Sequence, residues 1–293
     1  MTKFIGWMYD IAREQSPRPH VLRDMLRQSL ESGYNAVGFY LEHRFAYASA
    51  PWAADRGVVT PALVKELQEE FTPQGLRIIP FLNTLGHMEG FVRAEEGRKY
   101  AEGSRFGTEQ ICPSREECVR FAKNLIDDAI DAFADDWLHI GGDEPWQLGT
   151  CPLCKQRVDE VGKAGLYGEF YRDLCDYVLE KGKRPGLWAD MLNEHPDALE
   201  YLPKETILFD WQYDKRPLET SQKLRDAGFD IICAPALHTY DAAWCHLDQS
   251  IDNIEAHKRD AEALGALGVL LTTWEMAYFT QYATVMPIIY AVG

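Results

Sequence analysis

The chain has 293 residues, of which 46% are hydrophobic and 26% are charged. These proportions are typical of a folded globular protein and exclude a disordered or collagen-like chain. The 30 basic and 46 acidic side chains give a formal net charge of −16. Because such a charge repels phosphate backbones, we expect no nucleic-acid partner. No stretch approaches the roughly 18 apolar residues of a membrane span, so we expect no membrane partner either.

The N-terminal residues and the cysteines predict a cytoplasmic protein. The first ten residues contain no apolar run long enough for a signal peptide. The seven cysteines are an odd number and are scattered along the chain, which is unlike the disulfide framework of a secreted domain. We therefore expect a cytoplasmic location with reduced thiols.

Eight apolar, β-branched or aromatic runs recur along the chain, and most are followed by an amphipathic helical pattern. The predicted strands are Phe4–Asp10, Asn35–His43, Arg77–Asn83, Trp137–Asp143, Pro185–Met191, Thr206–Tyr213, Asp230–Pro235 and Gly268–Glu275. Their continuous apolar runs are typical of strands that are covered on both faces. The predicted helices are His20–Ser32, Ala62–Phe71, Glu116–Phe133, Gly168–Glu180, Pro217–Asp226, Ile251–Leu264 and Thr280–Val292, and the fifth connection, Pro196–Pro203, has room for only about two helical turns.

Strands that alternate with helices eight times predict an α/β protein with a single (β/α)8 TIM barrel. A doubly wound sheet is the alternative fold, but no glycine-rich phosphate turn follows the first predicted strand. No linker or low-complexity tract interrupts the pattern, so we predict one catalytic domain over residues 1–293. Active sites in such barrels lie at the carboxyl ends of the strands.

Carboxylates and aromatic side chains dominate the predicted strand ends. Carboxylates can bind sugar hydroxyls, and tryptophan rings can cover the apolar face of a pyranose, so this composition favours a carbohydrate site. The strand-end candidates are Asp10, Glu42, His87, Asp143, Glu144, Asp190, Asp210, Trp211, Tyr213, Trp274 and Glu275.

The hexapeptide His139–Glu144, which reads HIGGDE, closes the fourth predicted strand. Neighbouring strand residues point to opposite faces, so Asp143 and Glu144 can share a pocket only if the backbone bends. The preceding glycine pair permits such a bend. Close like charges raise at least one pKa, which suits a general acid near neutral pH. The alternative is that Asp143 caps a helix and Glu144 is solvated.

The hexapeptide His139–Glu144 resembles the signature of glycoside hydrolase family 20, the β-N-acetylhexosaminidases. The segments Tyr40–Tyr47 and Ile79–Glu89 are similar to the second-strand and third-strand segments of the compact hexosaminidase D branch. The later segments Trp188–Met191 and Asp210–Tyr213 also resemble strand ends of that branch, as does TWE at residues 273–275. The resemblance covers nearly the whole chain.

This resemblance implies a retaining exo-β-N-acetylhexosaminidase that removes terminal β-linked GlcNAc or GalNAc from an oligosaccharide. Glu144 would act as the general acid and base, and Asp143 would hold the acetamide N–H. The substrate's own acetamide oxygen would be the nucleophile, and an oxazolinium ion would form. From Ile231 to Ala236, the end of the predicted seventh strand has no carboxylate, and the next one along the chain is Asp241. This agrees with a nucleophile supplied by the substrate. Asp241 and Glu275 stay open as conventional nucleophiles.

The resemblance also implies a set of substrate contacts. The tryptophans would wall the pocket, Tyr213 would bind the acetamide oxygen, and two histidines, His87 and His139, would orient the acids. The substrate-binding residues implied in this way are Asp10, Glu42, His87, Trp188, Asp190, Trp211, Tyr213, Trp274 and Glu275. Ile5 stands where many family members have arginine, and the usual seventh-strand tyrosine is missing, so the choice between gluco and galacto sugars stays open.

Two other functions are compatible with the residues. One is a conventional double-displacement glycosidase, and the other is a sugar-binding barrel without activity. We expect no cofactor and no active-site metal, because the strand ends lack a clustered histidine pair. The spacing of Tyr278, Phe279 and Tyr282 does not decide whether they pack within the chain or on a partner subunit of a homodimer.

A Cys-x-x-Cys pair, Cys151 and Cys154, follows the acidic pair along the chain. Such a pair can supply half of a zinc site, form a disulfide or stay reduced. Cys112 and Cys118 are the nearby candidates for completing a zinc site. The sequence leaves these interpretations open.

Overall fold

A computed structural model describes residues 4–12, 17–53, 58–103, 107–214, 216–240, 245–274, 286 and 288–290. The strands are β1 (Phe4–Asp10), β2 (Ala36–Tyr40), β3 (Arg77–Phe81), β4 (Trp137–His139), β5 (Arg184–Trp188), β6 (Ile207–Trp211), β7 (Asp230–Ala234), β8 (Ala236–Leu237) and β9 (Gly268–Thr273). The α-helices are α1 (Pro19–Glu31), α2 (Pro61–Phe71), α3 (Glu89–Val92), α4 (Glu116–Ala132), α5 (Pro152–Glu180), α6 (Asp190–Glu194), α7 (Leu218–Asp226) and α8 (Leu247–Leu264). Short 3₁₀ helices cover Thr72–Gln74, Arg98–Tyr100 and Pro196–Glu200.

The strands are hydrogen-bonded in the order β1-β2-β3-β4-β5-β6-β7-β9-β8, and β1 also pairs with β9. The pairings of β1 with β2 and with β9 are parallel, with Gly6 opposite both Ala36 and Leu270. The pairings β3–β4, β4–β5 and β7–β9 are parallel as well. A closed order of parallel strands that alternate with helices is that of a (β/α)8 barrel, so the predicted fold class is confirmed. The two-residue β8 is an addition that the sequence did not predict.

Most predicted elements are observed with shifts of a few residues at their ends. The largest difference is α5, which was predicted to begin at Gly168 and begins at Pro152. Gly162 interrupts its helical backbone with φ 73° and ψ 173°, and this break separates the predicted part from the missed first turns. Of the predicted helix Thr280–Val292, the structure describes residues 286 and 288–290, which are helical. Tyr278, Phe279 and Tyr282 lie outside the described residues.

The chain divides into two compact units, and the division falls after β2, after the first residue of α2, within β3 and within β6. The first unit comprises Met1–Tyr40, Ala62–Ile79 and Leu208–Gly293. The second unit comprises Leu41–Pro61 and Pro80–Ile207. That residues 1–293 form one catalytic domain stays a prediction.

Each unit has its own buried helix face. In the first unit, α1 buries Leu22, Met25, Leu26 and Ser29, a spacing that places these residues on one side of the helix. In the second unit, α4 buries a longer stripe at the same periodicity: Cys118, Phe121, Ala122, Leu125, Ile126 and Ala129. Among the described residues, no helix has the length and apolar character needed to cross a membrane.

Candidate active site

Three consecutive strands of the barrel are followed by a strained residue. Glu42, His87 and Glu144 follow β2, β3 and β4, and they have φ values of 38°, 51° and 47°. Within the part of the chain that the structure describes, they are the non-glycine residues with positive φ. Such backbone strain costs on the order of 1–3 kcal/mol for each residue and is concentrated at functional sites. All three residues belong to the second unit.

The predicted glycine bend after β4 is present. Gly141 and Gly142 have φ values of 82° and 110°, which residues with a Cβ rarely adopt. The Gly142 carbonyl accepts a hydrogen bond from the Tyr167 hydroxyl at 2.8 Å. A Cβ at Gly86, in the segment after β3, would lie 2.5 Å from the Asp143 carbonyl oxygen. The close approach of two loops therefore requires glycine at position 86.

The two acids differ in their access to solvent. The Asp143 side chain is 7% exposed, whereas the Glu144 side chain is 32% exposed. His87 Nε2 lies 3.4 Å from a carboxylate oxygen of each, so one imidazole lies against both acids. The Glu42 carboxylate is buried and lies close to His87, with their polar atoms within 4.8 Å. The structure thus brings the predicted residues of β2, β3 and β4 into one group.

Asp190 completes this acidic group. Its Oδ2 accepts the backbone N–H of Glu144 at 3.1 Å. Burial, and next the charge of Asp143, raise the pKa of Asp190 to about 8. The predicted raised pKa within the Asp143–Glu144 pair stays a prediction, and Asp190 is a third carboxyl group with a raised pKa. The raised pKa therefore favours the protonated form of a third carboxyl group beside the acidic pair.

The raised pKa of Asp190 predicts a pH-dependent stability. At pH values between 3.8, the ordinary pKa of aspartate, and about 8, the raised pKa of Asp190, the Asp190 carboxyl group keeps a proton in the folded state that it has lost in the unfolded state. Stability therefore falls as the pH rises through this window, by up to about 1.4 kcal/mol per pH unit. Asp190→Asn removes this contribution, and its melting temperature should depend less on pH between 5 and 8. Thermal scans at several pH values measure this dependence, with the exposed Asp197→Asn as the control variant. Melting temperatures that change equally with pH in wild type and Asp190→Asn would contradict the prediction.

Two predicted site residues of the second unit lie in its interior. Trp188 is fully buried, and its ring centroid lies 4.5 Å from that of His139. His139 stacks on Phe81, and its Nδ1 accepts the Gly141 backbone N–H. Burial lowers the pKa of His139 well below its ordinary value, so its ring is neutral. These contacts support the glycine bend, and the predicted role of Trp188 as a pocket wall stays a prediction.

The first unit carries the remaining predicted aromatic residues as a group. The Trp211 and Tyr213 ring centroids lie 5.1 Å apart. Tyr213 Oη accepts a hydrogen bond from Trp274 Nε1 at 2.6 Å. It also lies 3.3 Å from Thr272 Oγ1, which donates to the Pro235 carbonyl at 2.9 Å. The predicted sugar-binding roles of Trp211, Tyr213 and Trp274 stay predictions.

The other predicted acids of the first unit are in varied positions. Asp10 is buried, and its Oδ1 accepts the Ala12 backbone N–H at 3.0 Å. Asp210 is buried and accepts hydrogen bonds from the hydroxyls of Thr220 and Ser221, at 2.6 Å each. These bonds attach the end of β6 to α7. The predicted candidates Asp241 and Glu275 lie outside the described residues.

Sequence reasoning missed the supporting residues of the bend. Besides the Tyr167 bond, Thr84 Oγ1 donates to the Ile140 carbonyl at 2.6 Å and lies 3.4 Å from Tyr171 Oη. Tyr167 and Tyr171 are four residues apart, so the periodicity of α5 could have placed them on one face. Glu89 also lies within 4.8 Å of Glu42 and His87 in a group whose donor atoms could hold a cation.

The profile of glycosyl hydrolase family 20, catalytic domain, matches residues 32–267. The chain belongs to this family. The matched residues include β2, β3 and β4 with the acidic group that follows them, and the family assignment makes the protein a glycoside hydrolase.

Three curated relatives of this family 20 chain are 22% to 24% identical to it over the aligned residues. It is 24% identical to hexosaminidase D of Bos taurus over 253 residues, which are 78% of this chain and 72% of that protein. It is 22% identical to the β-hexosaminidase of Vibrio furnissii over 279 residues, which are 81% of this chain and 44% of that protein. The β-hexosaminidase of Akkermansia muciniphila is 24% identical over 66% of this chain, or 39% of that protein. The chain thus spans less than half of these bacterial relatives.

Solved structures of family members share the fold of this family 20 chain. The β-N-acetylhexosaminidase of Bacteroides fragilis superposes with a TM-score of 0.78 and 17% identity, over 99% of this chain and 65% of that one. The exo-β-N-acetylglucosaminidase of Vibrio harveyi, solved with N-acetylglucosamine, superposes with a TM-score of 0.78 and 16% sequence identity. The superposition covers 99% of this chain and 53% of that one. The similarity covers nearly all of the present chain.

Proposed function

We propose that this family 20 chain is a retaining exo-β-N-acetylhexosaminidase that uses the acetamide group of its substrate as the nucleophile. The observation that carries the proposal is the pairing of buried Asp143 with accessible Glu144, both 3.4 Å from His87 Nε2. Two neighbouring acids with different solvent access can perform two different roles. The accessible acid suits proton exchange with a leaving group and water, and the buried acid suits a fixed charge.

In the first step, the Glu144 carboxyl group donates a proton to the glycosidic oxygen. The acetamide carbonyl oxygen attacks the anomeric carbon while the bond to the leaving group breaks, and a cyclic oxazolinium ion forms. The Asp143 carboxylate accepts a hydrogen bond from the acetamide N–H and stabilises its positive charge. Because the nucleophile belongs to the substrate, its effective concentration is high without a nucleophile from the protein.

In the second step, the Glu144 carboxylate removes a proton from water, and the water oxygen attacks the anomeric carbon. The oxazolinium ring opens and restores the acetamide, with net retention of configuration. The neutral Asp190 carboxyl group, whose pKa is raised to about 8, keeps the number of negative charges beside Asp143 low. His87, which lies against both acids, holds them in position through the cycle.

The relatives support the same activity. Bovine hexosaminidase D and the bacterial β-hexosaminidases are the curated proteins that this chain resembles over most of its length. The substrate that follows for this chain is an oligosaccharide with a terminal β-linked N-acetylhexosamine. The seven free cysteines accord with the cytoplasm as the proposed location.

A panel of p-nitrophenyl glycosides tests the proposal. We expect turnover of the β-GlcNAc or β-GalNAc substrate and at least about 10³-fold less turnover of the β-glucoside and β-galactoside, because these lack the nucleophile. The ratio of the two acetamido substrates measures the gluco or galacto preference. Equal turnover of the glycosides with and without an acetamide would contradict the mechanism.

Two inhibitor classes separate the mechanisms. A thiazoline that mimics the oxazolinium ion should inhibit, and a 2-fluoro sugar should not label the protein. The reverse result indicates a double-displacement glycosidase with a nucleophile on the protein. Calorimetric binding of N-acetylhexosamine without turnover of any substrate indicates a sugar-binding protein.

A further inference from the structure

Three cysteine side chains of the second unit bring their sulfur atoms close together. Cys112 Sγ lies 3.5 Å from Cys151 Sγ and 3.5 Å from Cys154 Sγ, and all three sulfurs lie within 4.8 Å of one another. Cys112 and Cys154 are buried, and Cys151 is partly buried. The sequence singled out the Cys151–Cys154 pair, and the fold adds Cys112 from 39 positions earlier in the chain.

The spacing of these sulfurs matches a metal site better than a disulfide. A disulfide requires a sulfur–sulfur distance of about 2.05 Å, and all seven cysteines are free. Tetrahedral zinc with Zn–S bonds of about 2.3 Å separates its sulfur ligands by about 3.8 Å. The two observed distances of 3.5 Å lie near this value, and the third pair of sulfurs lies within 4.8 Å.

The local backbone also favours negatively charged sulfur. Cys151 is the N-cap residue of α5, and its Sγ accepts the Cys154 backbone N–H at 3.4 Å. A helix N-terminus stabilises nearby negative charge, such as that of a thiolate. Pro152, at the first position of the helix, fixes the turn between the two cysteines. The sulfurs of Cys151 and Cys154 lie on one helical turn and face that of Cys112, an arrangement that can bind a soft cation.

A fourth ligand is available beside the sulfurs. Ser114 Oγ lies 3.1 Å from Cys154 Sγ, and a water molecule can serve equally in tetrahedral coordination. Cys118 is placed differently, because its sulfhydryl donates to the Tyr100 carbonyl at 3.3 Å. The donor set is thus three thiolates and one oxygen, which suits zinc better than magnesium or calcium.

We propose that Cys112, Cys151 and Cys154 bind a structural zinc ion that joins the segment before α4 to the loop after Glu144. Buried Glu102 already links the same two regions, because its Oε1 accepts the backbone N–H groups of Gly149 and Thr150. The Glu102 carboxylate also accepts from Gln110 Nε2 at 2.7 Å. The metal adds a second and stronger link to the region that carries the candidate acid.

Metal analysis of the untagged full-length chain tests this proposal. After passage over a chelating resin, we expect about one equivalent of zinc per chain. Cys112→Ala and Cys154→Ala should each lower the zinc content by at least about tenfold, whereas the matched control Cys118→Ala should keep it. Zinc that persists in Cys112→Ala, or that is absent from the wild type under every loading condition, overturns the proposal.

Cobalt and thiol labelling keep the test decisive if a variant fails to fold. Wild-type chain loaded with Co²⁺ should show intense thiolate charge-transfer and tetrahedral d–d bands, and zinc should displace them. Cys151→Ser, at the partly exposed position, should weaken these bands without unfolding the chain. Iodoacetamide labelling of the denatured chain without reductant should modify seven cysteines, and labelling of five would establish a disulfide and overturn the proposal. All of these readouts are independent of glycosidase activity.

Discussion

Glu144→Gln is expected to reduce kcat/KM for p-nitrophenyl β-N-acetylhexosaminides by about 10²–10⁴-fold. The amide neither gives a proton to the glycosidic oxygen nor takes one from water. Glutamine has nearly the same volume as glutamate, and the side chain is partly exposed, so the fold should be unaffected. Steady-state kinetics and a thermal melt on the same preparation separate the loss of chemistry from a loss of structure.

The matched control for this variant is Glu116→Gln. Glu116 lies in the first turn of α4, with its side chain 92% exposed, and this change should leave kcat/KM within about twofold of wild type. The loss in Glu144→Gln should be smaller for substrates with good leaving groups, because these need less protonation. Full turnover by Glu144→Gln would assign the acid role to another residue and remove the basis of the proposed mechanism.

Asp143→Asn is expected to lower kcat by about 10²–10³-fold, because a fixed negative charge beside the developing oxazolinium ion is lost. The neutral amide still forms hydrogen bonds but does not stabilise that positive charge. The loss should appear in kcat more than in KM, since the charge acts mainly in the transition state. Inhibition by a cationic thiazoline analogue should weaken in parallel.

A second readout separates the electrostatic role of Asp143 from a packing role. The Asp143 carboxylate contributes to the raised pKa of Asp190, so Asp143→Asn should move that pKa toward its ordinary value. The loss of stability between pH 5 and 8 should then be smaller than in wild type. A variant that loses activity while its pH–stability profile stays unchanged would contradict this electrostatic arrangement.

The order of the strands could be predicted because their hydrophobic patterns are local. Continuous apolar runs such as Gly268–Thr273 identify strands that are covered on both faces, and the helices between them limit the number of folds. The start of α5 was missed because Gly162 interrupts its backbone. Cys151 followed by Pro152 was a usable signal for that start, since proline is favoured at the first helical position.

The acidic pair could also be predicted from the sequence, because the glycine bend and both acids lie within six residues. The residues that surround the acidic pair could not be predicted in this way. His87 contacts the pair from the segment after β3, and Asp190 contributes from the segment after β5. Asp210 and Asp190 both occupy predicted strand ends, yet Asp210 is held by α7 hydroxyls and Asp190 lies beside the acids. The residue type alone does not distinguish these outcomes.

The sequence by itself determined the succession of strands and helices, the bend after β4 and the two neighbouring acids. Each of these depends on interactions between residues a few positions apart. Tertiary structure decided which third carboxyl group has a raised pKa, which histidine lies against the acids and which third cysteine joins Cys151 and Cys154. These properties depend on burial and on distances between groups that are 39 to 57 positions apart, and only the folded chain brings such groups within a few ångströms.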